Sequence, residues 1–159
     1  MREKVPMTFR GHELLQQELR RLKVEERPRL VEAIKVAREH GDLSENAEYD
    51  AAKDQQGFVE ARIRQIEDKL ARAQVVELTD AEPDRVLFGT TVVLEDLDSG
   101  DEVIYKLVGE DEADIGQALL SVKSPVGRAL IGKRVDEEVT VVVPSGTKQF
   151  EVREIRGSG

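Results

Sequence analysis

An acidic cluster stands out in the first third of the chain. Five carboxylates lie within residues 42–54, where Lys53 is the only base, and they are Asp42, Glu45, Glu48, Asp50 and Asp54. Mg²⁺ usually takes one or two carboxylates from a given protein and keeps several waters. Asp42 and Glu45 can therefore complete the coordination of an ion that another protein already holds in part. Such an ion can orient and activate water for phosphodiester hydrolysis.

The spacing of Asp42 and Glu45 also fits a purely structural role. An aspartate followed three residues later by a glutamate has the pattern of a capping box, in which both side chains satisfy amides at a helix start. Acidic residues in a first turn also suit the helix dipole. Spacing alone leaves both interpretations open, and capping is the commoner role of such a pair.

The elements around the cluster predict a long helical hairpin. From Thr8, apolar and long-stemmed residues recur at steps of three and four, which is typical of a coiled-coil seam. This first seam comprises Leu15, Leu19, Leu22, Glu26, Leu30, Ala33, Ala37 and His40. Pro28 is expected to bend or locally break the helix. Gly41 is expected to end it, because a left-handed residue commonly follows a helix.

A second helix is predicted to begin between Asp42 and Glu45 and to continue to Val76. Its seam comprises Ala52, Gln56, Val59, Ile63, Ile66, Leu70 and Ala73. The connection between the two helices is only a few residues long, so they should be antiparallel neighbours. At about 1.5 Å per residue they would project on the order of 45–50 Å, with the acidic cluster at the far end.

The second half changes to a strand-like period. Two hairpins are predicted, around the turns at residues 96–101 and 144–147, with a further strand over 119–122. Ser124 and Pro125 have the residue types preferred at an N-cap and at the first helical position, and they predict one short helix.

The expected fold class is therefore α+β. An antiparallel coiled-coil hairpin is predicted for residues 1–78, a linker for 79–90, and a small β-rich domain with one short helix for 91–159. A charged content of 36% in 159 residues favours such a shape, because an elongated hairpin has a large surface.

Charge and composition exclude several classes of function. Residues 1–78 carry 15 Lys and Arg against 16 Asp and Glu, whereas residues 79–159 carry 9 against 17, a balance of −8. An acidic second half is repelled by nucleic acid, so duplex DNA is not the expected main partner. The absence of cysteine excludes disulfides and thiolate metal sites. No apolar run reaches the length of a membrane span, and a cytoplasmic protein is expected.

The run over residues 37–53 has Asp42-Leu43-Ser44-Glu45-Asn46 at its centre and is followed by Gln55-Gln56-Gly57-Phe58. This combination resembles the hairpin tip of the GreA branch of the GreA/GreB family of bacterial transcript-cleavage factors. Residues 7–11, 67–75 and 121–132 resemble other parts of that family. The resemblance covers nearly the whole chain.

That resemblance implies a function and a partner. The chain would insert its acidic tip into the secondary channel of RNA polymerase and stimulate the polymerase's own hydrolysis of backtracked RNA. Short 3′ fragments would be released, so that arrested complexes resume synthesis. The chain would be a monomer and not an enzyme by itself, with no stably bound cofactor and with Mg²⁺ shared only in the polymerase complex.

The resemblance also assigns roles to residues of the tip. Asp42 and Glu45 would bind the second Mg²⁺ of the polymerase and its attacking water. Arg38 and Lys53 would form a basic patch near the 3′ end of the RNA. Relatives often carry Arg at the position of Lys53, and Lys keeps the charge but lacks the bidentate fork.

The resemblance further implies that the C-terminal domain is FKBP-like and docks on the rim of the polymerase secondary channel. Ser124 and Pro125 lie in the segment that would form this docking surface. The alternative for this pair is a helix start that binds no partner.

Three other functions remain open at this point. A paralogue with an altered tip would inhibit the polymerase, although the Asp-Leu-x-Glu-Asn form of this tip is that of the activators. An FKBP-type prolyl isomerase would need an apolar pocket, and the second half offers only Phe88, Tyr105 and Phe150 as aromatic residues. A coiled-coil chaperone or scaffold would tolerate replacement of the tip acids.

Overall fold

Two units make up the protein in the computed structural model, which describes residues 3–41, 46–76 and 83–157. The first, here called the hairpin unit, consists of Met1–Val5 and Glu13–Ala73. The second, the sheet unit, consists of Pro6–His12 and Gln74–Gly159. One unit is helical and the other is mostly β, so the predicted α+β class is confirmed. The predicted domain boundary at residue 78 lies outside the described residues and stays a prediction.

Two helical runs form the hairpin unit. The first run comprises α1 (Phe9–Arg21, in this unit from Glu13), a π-helical turn (Leu22–Glu26) and α2 (Arg27–Arg38). The second run is α3 (Ala47–Ala71). Ion pairs join residue 18 to residue 62, 23 to 67 and 27 to 60. Residues early in the first run thus meet residues late in the second, as in the predicted antiparallel hairpin.

Pro28 distorts the first run without ending it. Proline has no N–H to donate to the carbonyl one turn earlier, and its ring crowds that carbonyl. The π turn lies directly before it, where the N–H of Arg27 bonds the carbonyl of Leu22. Such a turn takes up one residue more than an α-helical turn. Leu22 and Leu30, eight residues apart, are therefore both buried.

The seam between the helices follows most of the predicted pattern. Its buried apolar residues are Leu15, Leu22, Leu30, Ile34, Ala37, Ala52, Ile63 and Ile66. In α2 Ile34 is buried and the predicted Ala33 only half-buried, because Ile34 lies four residues after buried Leu30 and three before buried Ala37 on one face of the helix. The prediction for His40 was wrong. This residue is exposed, since α2 already ends at Arg38.

The end of the second helix was predicted too late. α3 ends at Ala71, and residues 73–75 form a strand, β2 (Ala73–Val75), that pairs with β1 (Val5–Met7). The N–H of Val5 donates to the carbonyl of Arg72 at 2.9 Å, and the N–H of Val76 donates to that of Met7 at 2.9 Å. These partners are distant in sequence, so helical periodicity could not predict them. β-Branched Val75 and Val76 also favour extended backbone.

Ion pairs line the flanks of the hairpin. Arg62 donates to both carboxylate oxygens of Glu18 at 2.8 Å, and Arg27 binds Glu60 in the same way at 2.7 and 2.9 Å. The hydrogen bond from each arginine lowers the pKa of its glutamate below the ordinary value. Two-point contacts have strict geometry, so these pairs help to fix the alignment of the helices.

We expect Glu18→Gln to reduce stability at neutral pH and to have no effect in strong acid. Arg62 holds the pKa of Glu18 below that of the unfolded chain. The ionised carboxylate therefore stabilises the fold above about pH 4.3, and this contribution is lost as the pH falls through the lower, folded-state pKa. Because the pair is partly exposed, the loss at neutral pH should be at most about 1 kcal/mol. Urea unfolding of both proteins at neutral and acid pH measures it, and a pH-independent difference would contradict the ion-pair origin.

A five-stranded sheet forms the centre of the sheet unit. Its strands are β3 (Thr91–Asp96), β4 (Glu102–Val108), β5 (Leu119–Ser121), β6 (Glu138–Val143) and β7 (Gly146–Arg156). Their spatial order is β5-β4-β3-β7-β6, with β4 and β5 parallel and the other neighbours antiparallel. Both predicted hairpins, β3–β4 and β6–β7, are confirmed.

The core of the sheet unit uses the aromatic residues that a proline pocket would need. Phe150 is a buried member of this core, and Tyr105 packs against it. The other buried members are Val86, Val92, Leu94, Leu107, Leu120, Leu130, Val139, Val141, Val152 and Ile155. Two of the three aromatic residues of the second half thus pack in or against this core, which argues against the prolyl isomerase alternative.

The predicted short helix is α4 (Pro125–Leu130). Ser124 is its N-cap, and its hydroxyl accepts the N–H of Gly127 at 3.1 Å while donating to the carbonyl of Ser121 at 2.6 Å. Pro125 occupies the first turn, as predicted. The local residue types were therefore sufficient to predict this helix.

Candidate functional site

The predicted metal ligands Asp42 and Glu45 lie outside the described residues. The chain on either side of them is described, from the end of α2 to Gly41 and again from Asn46 onward. Gly41 has a φ of +100°, so the prediction of a left-handed glycine after the first helix is confirmed. The candidate site consists of these two flanking segments, which form the tip of the hairpin unit.

Asn46, and not Asp42, is the N-cap of α3. Its side-chain oxygen accepts the N–H of Tyr49 at 3.0 Å, and the helix begins at the next residue, Ala47. A capping box of Asp42 and Glu45 would require the helix to begin four residues earlier. The cap of α3 is therefore Asn46, a residue type preferred at that position, while the capping-box interpretation of Asp42 and Glu45 falls on residues outside the described ranges and stays a prediction.

The same asparagine also contacts the end of the first helical run. The side-chain N–H₂ of Asn46 donates to the carbonyl of Ala37 at 2.7 Å. Ala37 lies in the last turn of α2. One half-buried side chain thus joins the last turn of α2 to the first turn of α3.

A cation–π contact lies beside this connection. The guanidinium carbon of Arg38 is 5.9 Å from the centre of the Tyr49 ring. Contacts of this kind between exposed groups contribute about 0.5–1 kcal/mol. Arg38 projects from the end of α2 and Tyr49 from the first turn of α3, so the contact orients a basic side chain at the tip.

Three basic side chains line one groove between α2 and α3. This groove, here called the basic groove, has a volume of about 430 Å³ and is lined by Val31, Ile34, Lys35, Arg38, Glu39, Lys53 and Gln56. The predicted pair Arg38 and Lys53 is thus brought together in one groove. Lys35 was missed by the sequence analysis, although its spacing of three from Arg38 places both on one face of α2.

The basic groove differs in its ion pairing from the flanks of the hairpin. Lys23 contacts Glu67 at 3.0 Å, and Arg27 and Arg62 hold carboxylates as described above. In the described part of the chain, Lys35, Arg38 and Lys53 form no ion pair, and Lys53 contacts only the amide oxygen of Gln56, at 3.3 Å. Among the described residues, the basic groove thus carries three basic side chains and the single carboxylate of Glu39.

The described residues contain no group of three or more His, Cys, Asp or Glu side chains that could hold a metal ion. The expected Mg²⁺ ligands are not among them, so the shared ion stays a prediction. Within the same ranges, no helix is long and apolar enough to cross a membrane.

Ser124 and Pro125, the predicted docking pair, start α4 in the sheet unit. Pro125 is exposed, whereas Ser124 is half-buried and its hydroxyl makes both of its hydrogen bonds within the segment 121–127. The prediction that this pair starts a helix is therefore confirmed, and its docking role stays a prediction.

Comparison with known proteins covers both halves of the chain. A model described as "Transcription elongation factor, N-terminal" matches residues 5–75, and one described as "Transcription elongation factor, GreA/GreB, C-term" matches residues 80–157. Transcription elongation factor GreA of Trichlorobacter lovleyi is 56% identical over 156 residues, which are 98% of this chain and 99% of that protein. GreA of Alkalilimnicola ehrlichii is 57% identical, with the same coverage.

A solved structure is also similar in sequence. GreA factor homolog 1 (Gfh1) of Thermus thermophilus is 32% identical to this chain, and the match covers 98% of this chain and 100% of that one, with a TM-score of 0.45. The identity is lower than that to the two GreA proteins. The relationship rests on the sequence matches, which extend over the hairpin unit and the sheet unit.

Proposed function

The chain belongs to the GreA/GreB family of transcription elongation factors, and we propose that it stimulates RNA polymerase to cleave its own backtracked RNA. It acts as a factor and not as an enzyme by itself. In this proposal the polymerase holds the RNA and the catalytic centre, and the tip of the hairpin unit enters through the secondary channel. Removal of a few 3′ nucleotides would return the RNA end to the catalytic centre.

The observation that carries the proposal is the basic groove beside the acidic tip. RNA phosphates are attracted to clustered Lys and Arg side chains, and a positively charged groove can follow the backbone of a single strand. Lys35, Arg38 and Lys53 form such a groove. Arg38 and Lys53 flank the segment that carries Asp42 and Glu45 in the sequence. The tip thus combines RNA-binding cations with carboxylates of the type that bind Mg²⁺.

The cap at Asn46 supports a chemical role for the two tip acids. Since Asn46 begins α3, Asp42 and Glu45 are not required to start that helix. Two carboxylates alone bind Mg²⁺ weakly, which suits an ion that is shared with a second protein. Asp42 and Glu45 would hold this ion together with polymerase groups, and when bound it supplies Lewis acidity and an activated water.

The sheet unit would provide the contact outside the secondary channel. The charge balance of −8 in residues 79–159 favours a basic surface on the partner and disfavours nucleic acid. Pro125 is an exposed residue on α4, whose core-facing end is fixed by Leu130. Such a fixed, exposed helix start is suited to docking on the rim of the channel.

The test is an RNA cleavage assay on stalled, backtracked polymerase complexes with Mg²⁺. The proposal predicts the release of short 3′ RNA fragments and the resumption of synthesis when the protein is added. Inhibition of cleavage and of elongation would instead identify an inhibitory paralogue. No effect on either reaction, together with no binding to polymerase, would favour the scaffold alternative.

We expect Arg38→Ala and Lys53→Ala each to reduce cleavage about 10-fold, because each loses one phosphate-binding charge. Lys53→Arg should retain activity, since its guanidinium keeps the charge and adds a bidentate fork. Arg64→Ala, which removes an exposed charge of α3 outside the basic groove, is the matched control. Cleavage rates at several salt concentrations measure the effect, and an equal loss in the Arg64 variant would contradict a role specific to the groove.

A further inference from the structure

We propose that Asn46 is a positioning residue of the cleavage reaction, which joins the two helix ends that carry the tip. The inference rests on the proposed function of Asp42 and Glu45. Asn46 is the only asparagine in the chain. Its side chain makes two hydrogen bonds of opposite sense, one to each helical run of the hairpin unit.

The two hydrogen bonds require an amide side chain, which has both an acceptor oxygen and a donor N–H₂ group. The oxygen must accept the N–H of Tyr49 and the nitrogen must donate to the carbonyl of Ala37, so the orientation of the amide is set by its partners. An aspartate at this position can still cap α3, but it has no N–H for the Ala37 carbonyl and places negative charge beside it. Replacing Asn46 by aspartate therefore removes the hydrogen bond to α2 and keeps the cap of α3.

The connection fixes the two ends of the segment that carries the acids. Ala37 and Asn46 are nine residues apart in sequence, and the bond of 2.7 Å sets the distance between them. Catalytic groups must lie close to their productive position, and a displacement of 1 Å can lower a rate about 100-fold. The bond fixes the separation of Ala37 and Asn46, the described residues between which Asp42 and Glu45 lie in the sequence.

Asn46 also affects the orientation of the basic residue Arg38. The N–H that it accepts belongs to Tyr49, and the ring of Tyr49 lies under the guanidinium of Arg38. The first turn of α3 therefore holds the ring, and the ring orients Arg38. The amide of Asn46 thus links the orientation of this basic residue to the separation of the two helix ends.

The experiment compares Asn46→Asp with the matched control Gln55→Glu, which makes the same amide-to-acid change at an exposed position of α3. Two readouts are taken. The first is the RNA cleavage rate as a function of factor concentration. The second is the distance distribution between spin labels on Cys residues introduced for Val36 and Asp50, both exposed, in a chain that has no cysteine of its own.

For Asn46→Asp we expect the cleavage rate at saturation to fall about 10- to 100-fold. The half-saturating concentration and the melting temperature should change little, and the distance distribution should broaden. Gln55→Glu should match wild type in every readout. A distance distribution as narrow as that of wild type would overturn the proposal, and so would unchanged cleavage. If wild type itself does not cleave, the proposed function fails, and the distance distribution still decides whether Asn46 fixes the helix ends.

Discussion

Asp42→Asn and Glu45→Gln should each lower the rate of RNA cleavage by at least about 100-fold, equivalent to roughly 3 kcal/mol of transition-state stabilisation. Each change keeps the shape of the side chain and removes the charge that would bind Mg²⁺. Because α3 is capped by Asn46, neither variant should alter the melting temperature or the affinity for polymerase. Single-turnover cleavage in backtracked complexes measures the rate, and competition binding measures the affinity.

Two further measurements distinguish the loss of a metal ligand from the mere loss of a negative charge. Asp54→Asn removes one negative charge from the same acidic cluster, at an exposed position of α3, and should cleave like wild type. If Asp42 and Glu45 are metal ligands, their variants should also need more Mg²⁺ for half-maximal rate, because a lost ligand weakens binding of the ion. Variants that bind polymerase poorly, or an equal loss in the Asp54 variant, would contradict the donated-carboxylate mechanism.

The hairpin was predictable because its interactions repeat along the chain. Leu15, Leu22 and Leu30 could be assigned to the buried seam from spacing alone. The details that failed are those set by local geometry. The π turn before Pro28 and the end of α2 at Arg38 decide which side chains face α3, and they leave His40 exposed.

The sheet unit was predictable only in its local parts. The hairpins and α4 follow from turn and capping residues, which act over a few positions. The pairing of β3 with β7 joins residues about sixty positions apart, with a register shift between Val93 and Leu94. No short-range pattern reports such a pairing, so the strand order β5-β4-β3-β7-β6 could not be derived from the sequence.

In the candidate site, too, residues with a local sequence signal could be predicted, and contacts between distant residues could not. Arg38 and Lys53 could be named because they flank a recognisable motif. The double role of Asn46 could not, since it depends on the approach of Ala37 across the hairpin. Lys35 had a usable signal in its spacing from Arg38. Its place in the groove depends on the pairing of α2 with α3, which brings it beside Lys53.

Replacing Gly127 by alanine should unfold or strongly destabilise the sheet unit. A Cβ at this position of α4 would lie 2.1 Å from the carbonyl oxygen of Ser121 and 3.0 Å from its carbonyl carbon. Both atoms are backbone, so the helix itself must move. Overpacking typically costs about 1–3 kcal/mol, and a clash between two backbone segments should reach the upper end of that range. For a unit of this size the melting temperature should fall by roughly 12 °C or more.

Gly57 provides the matched control for this substitution. It lies inside α3, and a Cβ there would meet no atom within 4 Å beyond the neighbouring backbone of its own helix. Gly57→Ala should therefore stabilise the hairpin unit by up to about 1 kcal/mol, since alanine is the better helix former. Differential scanning calorimetry of both variants tests the pair of predictions. A normal melting temperature for Gly127→Ala would contradict the close approach of α4 to Ser121.

Gly127→Ala also tests whether the sheet unit docks the protein on the polymerase while the hairpin unit supplies the chemistry. A displaced α4 moves Ser124 and Pro125, the predicted docking pair, while the hairpin unit keeps its own seam and its own ion pairs. At a temperature where Gly127→Ala is still folded, it should need more protein for half-maximal cleavage and reach the wild-type rate at saturation. The tip variants should show the reverse, a normal half-saturating concentration and a low saturating rate. Docking and chemistry would then reside in different units of one chain.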